Sequence, residues 1–64
     1  MEEIKFEYEY DIKLICESGN DYLYGIEADC DEDAILVANE FFSDDYPHET
    51  VVTTKIIERR ELNE

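Results

Sequence analysis

The sequence predicts an α+β domain of order β-β-α-β: a three-stranded antiparallel or mixed sheet, strand order 2-1-3, with one helix packed on one face. Three observations predict it. Apolar residues occupy every even position from Ile4 to Cys16, and a second alternating run follows Ser18-Gly19-Asn20. A helical apolar spacing after Asp29 then gives way to a β-branched segment at Val51. With 64 residues the chain holds one domain, spanning 1–64, which hides roughly 60% of its unfolded surface and has a thin stability margin.

The first strand carries Ile4, Phe6, Tyr8, Tyr10, Ile12, Leu14 and Cys16 on one side, and charged residues apart from Ile15 on the other. Such alternation suits a sheet with one face on a core and one in water. Ser18-Gly19-Asn20 supplies turn chemistry, and Tyr22, Tyr24, Ile26 and Ala28 resume the pattern, which predicts a β-hairpin. Keeping both apolar sets on one face requires same-parity pairing, and joining Glu17 to Asp21 across a three-residue loop achieves it. This register sets Ile12 beside Ile26, Asp11 across from Glu27 and Glu9 across from Asp29. It also puts Cys30 beyond disulfide reach of Cys16, so both cysteines read as small core fillers.

Asp29 with Glu32 has the spacing of a capping box, and Ala34, Val37, Ala38 and Phe41 follow at helical intervals, flanked by Ile35 and Phe42. A helix over about 30–43 follows, with Leu36 away from the core. Pro47 closes the loop from Asp44 to Glu49, and Val51 to Ile57 has the density of a strand. Its apolar residues come as doublets, Val51-Val52 and Ile56-Ile57, which leave the inward face open. If the helix crosses behind the sheet, the last strand runs parallel to the second with the first between them.

The charge is the outlier: 19 Asp and Glu against 5 Lys and Arg give a formal net charge of −14. Solubility of a small domain needs a magnitude of about 2 to 8. Self-repulsion opposes compaction, so the folded form is expected to strengthen with added salt. The same charge excludes DNA, RNA and anionic membranes as direct partners. Met1-Glu2-Glu3 does not look like a secretory start, the longest clear apolar run is Ala34 to Ala38, and two thiols with one histidine fall short of a zinc site. The expectation is a reduced, cytoplasmic protein with no cofactor and no metal.

Some acids have a structural reason. Asp29, Asp31, Glu32 and Asp33 stand at the helix start, where the helix dipole favours negative charge. Others lack one: Glu7, Glu9, Asp11 and Glu27 crowd the outer hairpin face, where opposed like charges destabilise a sheet, and Asp44 and Asp45 sit at the helix end that prefers cations. Lys5, Lys13, Lys55, Arg59 and Arg60 partly neutralise this face if the last strand lies beside the first, but five cations do not offset nineteen anions. Alternate carboxylates on a strand repeat about every 6.6 to 6.8 Å, matching every second phosphate of a DNA strand in charge density. A small acidic α+β chain with these acids resembles the phage-encoded nucleic-acid mimics, among them anti-CRISPR inhibitors; the resemblance is to a physical class over the whole chain. It implies a phage protein acting in a bacterial host cell, inhibiting a DNA- or RNA-handling enzyme by occupying its basic surface. Glu7, Glu9, Asp11, Glu27, Asp44, Asp45 and the neighbouring Tyr46 are then the partner-binding residues.

Rival chemistries find less. Asp29-x-Asp31-x-Asp33 with Glu40 has EF-hand ligand spacing, but Ala34 stands where that loop requires glycine. His48 is the lone histidine, beside Pro47, and no serine or cysteine has a nucleophile's setting, so the chain does not read as an enzyme. Tyr8, Tyr10, Tyr22 and Tyr24 fall on the core parity with hydroxyls reaching water. The alternative function is a homodimeric structural or assembly module, built on Ile15, Leu23, Leu36 and the two-faced doublets.

Overall fold

The computed structural model describes residues 6–62. The readings made on Met1-Glu2-Glu3, Ile4 and Lys5 lie outside them. Strand β1 (Tyr8–Cys16), strand β2 (Asp21–Ala28), helix α1 (Asp31–Asp45) and strand β3 (Val51–Glu61) follow one another, and the sheet order is β2-β1-β3. Both pairings are antiparallel, so β3 runs in the direction of β2 with β1 between them. The predicted architecture is therefore present.

Alternation decides the faces. Tyr10, Ile12, Leu14 and Cys16 of β1 are buried with Ile26 and Ala28 of β2, under Ala34, Ala38 and Phe42 of α1. Tyr8, Tyr22, Tyr24, Val37, Val51 and Ile56 pack around this core. The helix thus lies on the even-numbered face, and the opposite face of the sheet is open.

The hairpin register differs from expectation by two residues: Tyr10 pairs with Ile26, Ile12 with Tyr24, Asp11 with Gly25 and Glu9 with Glu27. Ile12 and Ile26 share the covered face without being directly opposed. Gly19 is the reason. Its amide donates to the Cys16 carbonyl at 3.0 Å, the Cys16 amide donates to Asn20 at 2.9 Å, and Gly19 has φ 96. The loop is therefore Glu17-Ser18-Gly19, with the left-handed position last, where only glycine sits without strain. Centring the loop on Ser18 instead of Gly19 moves every partner by two.

The strand β1 begins at Tyr8 and not earlier, because its partner Ala28 ends β2. Beyond it the Glu7 amide donates to Asp29 Oδ1 at 3.1 Å. Asp29 is consequently not the helix cap. Cys30 holds the N-cap position without a side-chain hydrogen bond, and its thiol is exposed, so only Cys16 is a core filler.

The helix presents a different row from the one its spacing predicted. Ala34, Ala38 and Phe42 point inward, whereas Phe41 is 52% exposed. Alanines at the first two contacts let the helix approach the sheet closely, and Phe42 fills the widening gap near the turn end, stacking beside Tyr22 and Tyr24.

The doublets of β3 also have an explanation. Its register with β1 shifts between Asp11 and Ile12, and again between Ile15 and Cys16. Ile57 and Val52 are the extra residues at these two β-bulges. A bulge lets two successive residues escape strict alternation. Val51 and Ile56 therefore turn toward the core while Val52 and Ile57 are exposed. The strand also runs on to Glu61, where Arg59 and Arg60 lie opposite Tyr10 and Glu9.

Candidate functional site

Three of the six acids that lacked a structural reason, Glu9, Asp11 and Asp45, acquire one from β3 or from a tyrosine. Arg60 lies across the open face from Glu9, which in turn lies across from Glu27. Its guanidinium donates to Glu9 Oε1 at 3.1 Å and to both oxygens of Asp11 at 3.1 and 3.2 Å. Glu58 completes the cluster at 3.1 Å. The fork geometry of the guanidinium matches the Asp11 carboxylate, which is held below the ordinary aspartate range. Glu9 and Asp11 are thus components of a cross-strand charge network, contrary to the expectation that the fold gives them no role.

On the covered face, tyrosine hydroxyls reach carboxylates where water was expected. Tyr10 donates to Asp31 at 2.9 Å, Tyr22 to Glu49 at 2.8 Å and Tyr24 to Asp45 at 2.7 Å. Each bond ties the sheet to one end of the helix or to the loop after it. Asp45 therefore has a structural partner as well. Arg59 adds a contact at the helix start, its guanidinium carbon 4.7 Å from the Tyr8 ring centroid and its Nη1 3.6 Å from Asp31.

Glu49, which sequence reasoning passed over, is the hub at the turn end. It accepts from Ser18 Oγ at 2.8 Å, Asn20 Nδ2 at 2.9 Å and Tyr22 at 2.8 Å. No local pattern marks it; only the pairing of the hairpin loop with the segment before β3 brings these donors together.

The anticipated site residues fall into two groups on different faces and ends of the sheet. Glu9, Asp11 and Glu27 lie on the open face, with Glu7 one residue beyond β1. Asp44 and Asp45 lie in the last turn of α1, on the covered side, near the hairpin loop. Tyr46 is less free than expected: its ring stacks on Tyr22 at 4.3 Å and Phe42 at 5.2 Å, leaving it 40% exposed. Of the anticipated acids, Glu7, Glu27 and Asp44 are exposed with no side-chain partner among the described residues, and Glu32, Asp33 and Glu40 of α1 join them. Lys55 is the one described cation outside an ion pair.

Chemistry for catalysis is sparse. Burial pushes the Cys16 thiol up, away from the reactive thiolate, and His48 is exposed in the loop after α1. The Asp31–Asp45 segment is one continuous helix, so the acids with EF-hand spacing do not wrap a common centre. No helix among the described residues is long and apolar enough to cross a membrane. No family model, curated protein or solved structure matches the chain.

The titratable contacts predict stability limits at both ends of the pH scale. Hydrogen bonds from Asn20, Ser18 and Tyr22 hold Glu49 below the ordinary glutamate range, so its contribution is complete above the unfolded value and is lost as pH falls through the folded one. Burial and the Asp31 carboxylate push Tyr10 up to about 12. Tyr22, through Glu49, and Tyr24, through burial, move the same way. A raised phenol stabilises the fold fully below its unfolded value near 10, and that stabilisation disappears as pH climbs toward the folded value. Ultraviolet titration should show the tyrosinates of Tyr10, Tyr22 and Tyr24 appearing late and together with loss of fold. Complete ionisation near pH 10 in a still-folded protein would refute these bonds.

Proposed function

We propose that this chain is an acidic protein-binding inhibitor that occupies the basic nucleic-acid-binding surface of a DNA- or RNA-handling protein, as an anti-CRISPR-like or other host-takeover factor would. One observation carries the reading. After Arg59, Arg60 and Lys13 have taken their partners, Glu7, Glu27, Glu40 and Asp44 remain exposed without a cation among the described residues and away from the helix start. A domain of thin stability gains nothing for folding from such a surplus, whereas a surface lined with lysine and arginine is its electrostatic complement. The reading is non-catalytic, and its locale is the cytoplasm of a bacterial host.

The test begins with the immobilised chain in a bacterial lysate, with and without nuclease, and continues with each retained protein purified. Nucleic acid and this chain should exclude one another from that protein. The variant Glu7→Gln, Glu27→Gln, Asp44→Asn should associate more slowly and lose less affinity with salt than the parent, while melting at the same temperature or higher. A stable ternary complex containing nucleic acid would overturn the proposal.

The second reading, a homodimeric assembly module, has its own observation: Leu23, Val52 and Ile57 are exposed, Leu23 at 66%. Sedimentation equilibrium separates the two, since a dimer lost on Leu23→Ser, with acid variants still dimeric, would favour assembly.

A further inference from the structure

The strand β2 is an edge strand that pairs with β1 alone. The Cys16 to Asn20 bond sets the phase of the ladder, so even-numbered residues of β2 bond to β1 while Leu23, Gly25 and Glu27 turn N–H and C=O outward. Beside this edge lies a groove of about 540 Å³, walled by Val37 and Phe41 of α1, by Phe6, and by Ile26 and Ala28 of β2. Glu9, Glu27, Asp29 and Asp33 also line it. Phe41, at 52% exposure, offers the groove an aromatic wall that the core does not use.

Gly25 is a third feature of the same edge. Glycine weakens a strand interior and often marks a close approach by another group. The backbone here is not left-handed, and a methyl group at Gly25 would meet nothing within 4 Å. The fold does not require this glycine.

We propose that the β2 edge binds an extended peptide segment in which apolar residues alternate with lysine or arginine. An added strand sends successive side chains to opposite faces. On the helix side they enter the groove against Val37 and Phe41. On the open side they meet Glu27, and the bare backbone at Gly25 leaves room for a long cationic side chain to lie across the edge strand. A second copy of the chain is disfavoured as occupant, because a net charge of −14 repels its like along the shared edge. The other sheet edge, β3, is broken by its two bulges and is a poorer template. The site goes beyond the inhibitor reading and does not depend on it.

The probe is an acetylated, amidated octapeptide alternating valine and lysine, titrated into the ¹⁵N-labelled full chain. Amide shifts should concentrate at Leu23, Gly25 and Glu27, with slowed hydrogen exchange there and side-chain shifts at Phe41. A block peptide of four lysines followed by four valines should bind at least about tenfold more weakly. Gly25→Val, which favours a strand, and Phe41→Ala, at an exposed position, should each weaken the alternating peptide by about tenfold. If Gly25→Val does not fold, Phe41→Ala alone decides. Equal affinity for the alternating and block peptides, or shifts spread over the acids of α1, would reduce the interaction to diffuse charge attraction and overturn the proposal, as would parental binding by folded variants.

Discussion

Replacing Phe42 by alanine is expected to leave the chain largely unfolded at room temperature. Phe42 is 2% exposed and lies against Tyr22 at 5.1 Å, Tyr46 at 5.2 Å and Tyr24 at 6.2 Å between ring centroids. Emptying such a site costs about 3 to 5 kcal/mol. A domain of this length has a total stability of roughly 3 to 10 kcal/mol. One substitution therefore removes much or all of the margin, and the alanines at 34 and 38 are too small to collapse into the space. Near-ultraviolet circular dichroism and amide dispersion would report the loss. Phe41→Ala, one residue away and half-exposed, should keep its dispersion. A Phe42→Ala protein melting within a few degrees of the parent would show that the core is seated elsewhere.

The second large effect is expected at Arg60. Replacing it by glutamine leaves Glu9, Asp11 and Glu58 on neighbouring strands with no shared cation, while Glu27 still faces Glu9. An isolated surface pair would matter little, but here one guanidinium serves three carboxylates. The melting temperature should fall by on the order of 10 °C at low salt. Much of it should return as the screening length shortens from about 10 Å at 0.1 M to about 3 Å at 1 M. Adding Glu9→Gln, Asp11→Asn and Glu58→Gln to the same chain should restore stability without salt. An Arg60→Gln protein with the parent's melting curve at low salt would mean that the acids are kept apart by solvent alone.

The parts of this fold that were legible in the sequence are those fixed by local period. Seven even-numbered apolar residues announce a two-faced strand, and β-branched density announces β3. What escaped depended on contacts between distant segments. The register turned on whether Gly19 or Asn20 takes the last loop position, and a shift of two preserves parity, so the hydrophobic pattern gave no warning. The helix row was misjudged because Phe41 and Phe42 are adjacent and either can end an inward stripe; the short alanines before it decide for Phe42. The doublets in β3 were unreadable as one face because each spans a bulge.

The candidate site divides along the same line. Composition alone announces an acidic surplus, but which acids are free depends on residues far away in sequence. Arg60 lies 49 positions from Asp11, and Glu49 lies 27 from Tyr22. Glu9, Asp11 and Asp45 were therefore counted as unexplained when each has a partner. Glu7, Glu27 and Asp44 kept their free standing because nothing cationic reaches them among the described residues.

The placement of β1 at the centre of the sheet has a consequence for the protein as it is being made. A ribosome delivers this strand before either of its mates, and the hairpin can close once β2 has emerged. The other side of β1 then waits, through the whole of α1 and the loop after it, for Val51–Glu61. During that interval a nine-residue strand edge stands open, the kind of surface on which nascent chains pair with one another. The acids already translated give neighbouring chains on a polysome the same sign and hold them apart. Arg59 and Arg60 arrive among the last residues of β3, so the neutralising charges come into play only as the edge they protect is being covered.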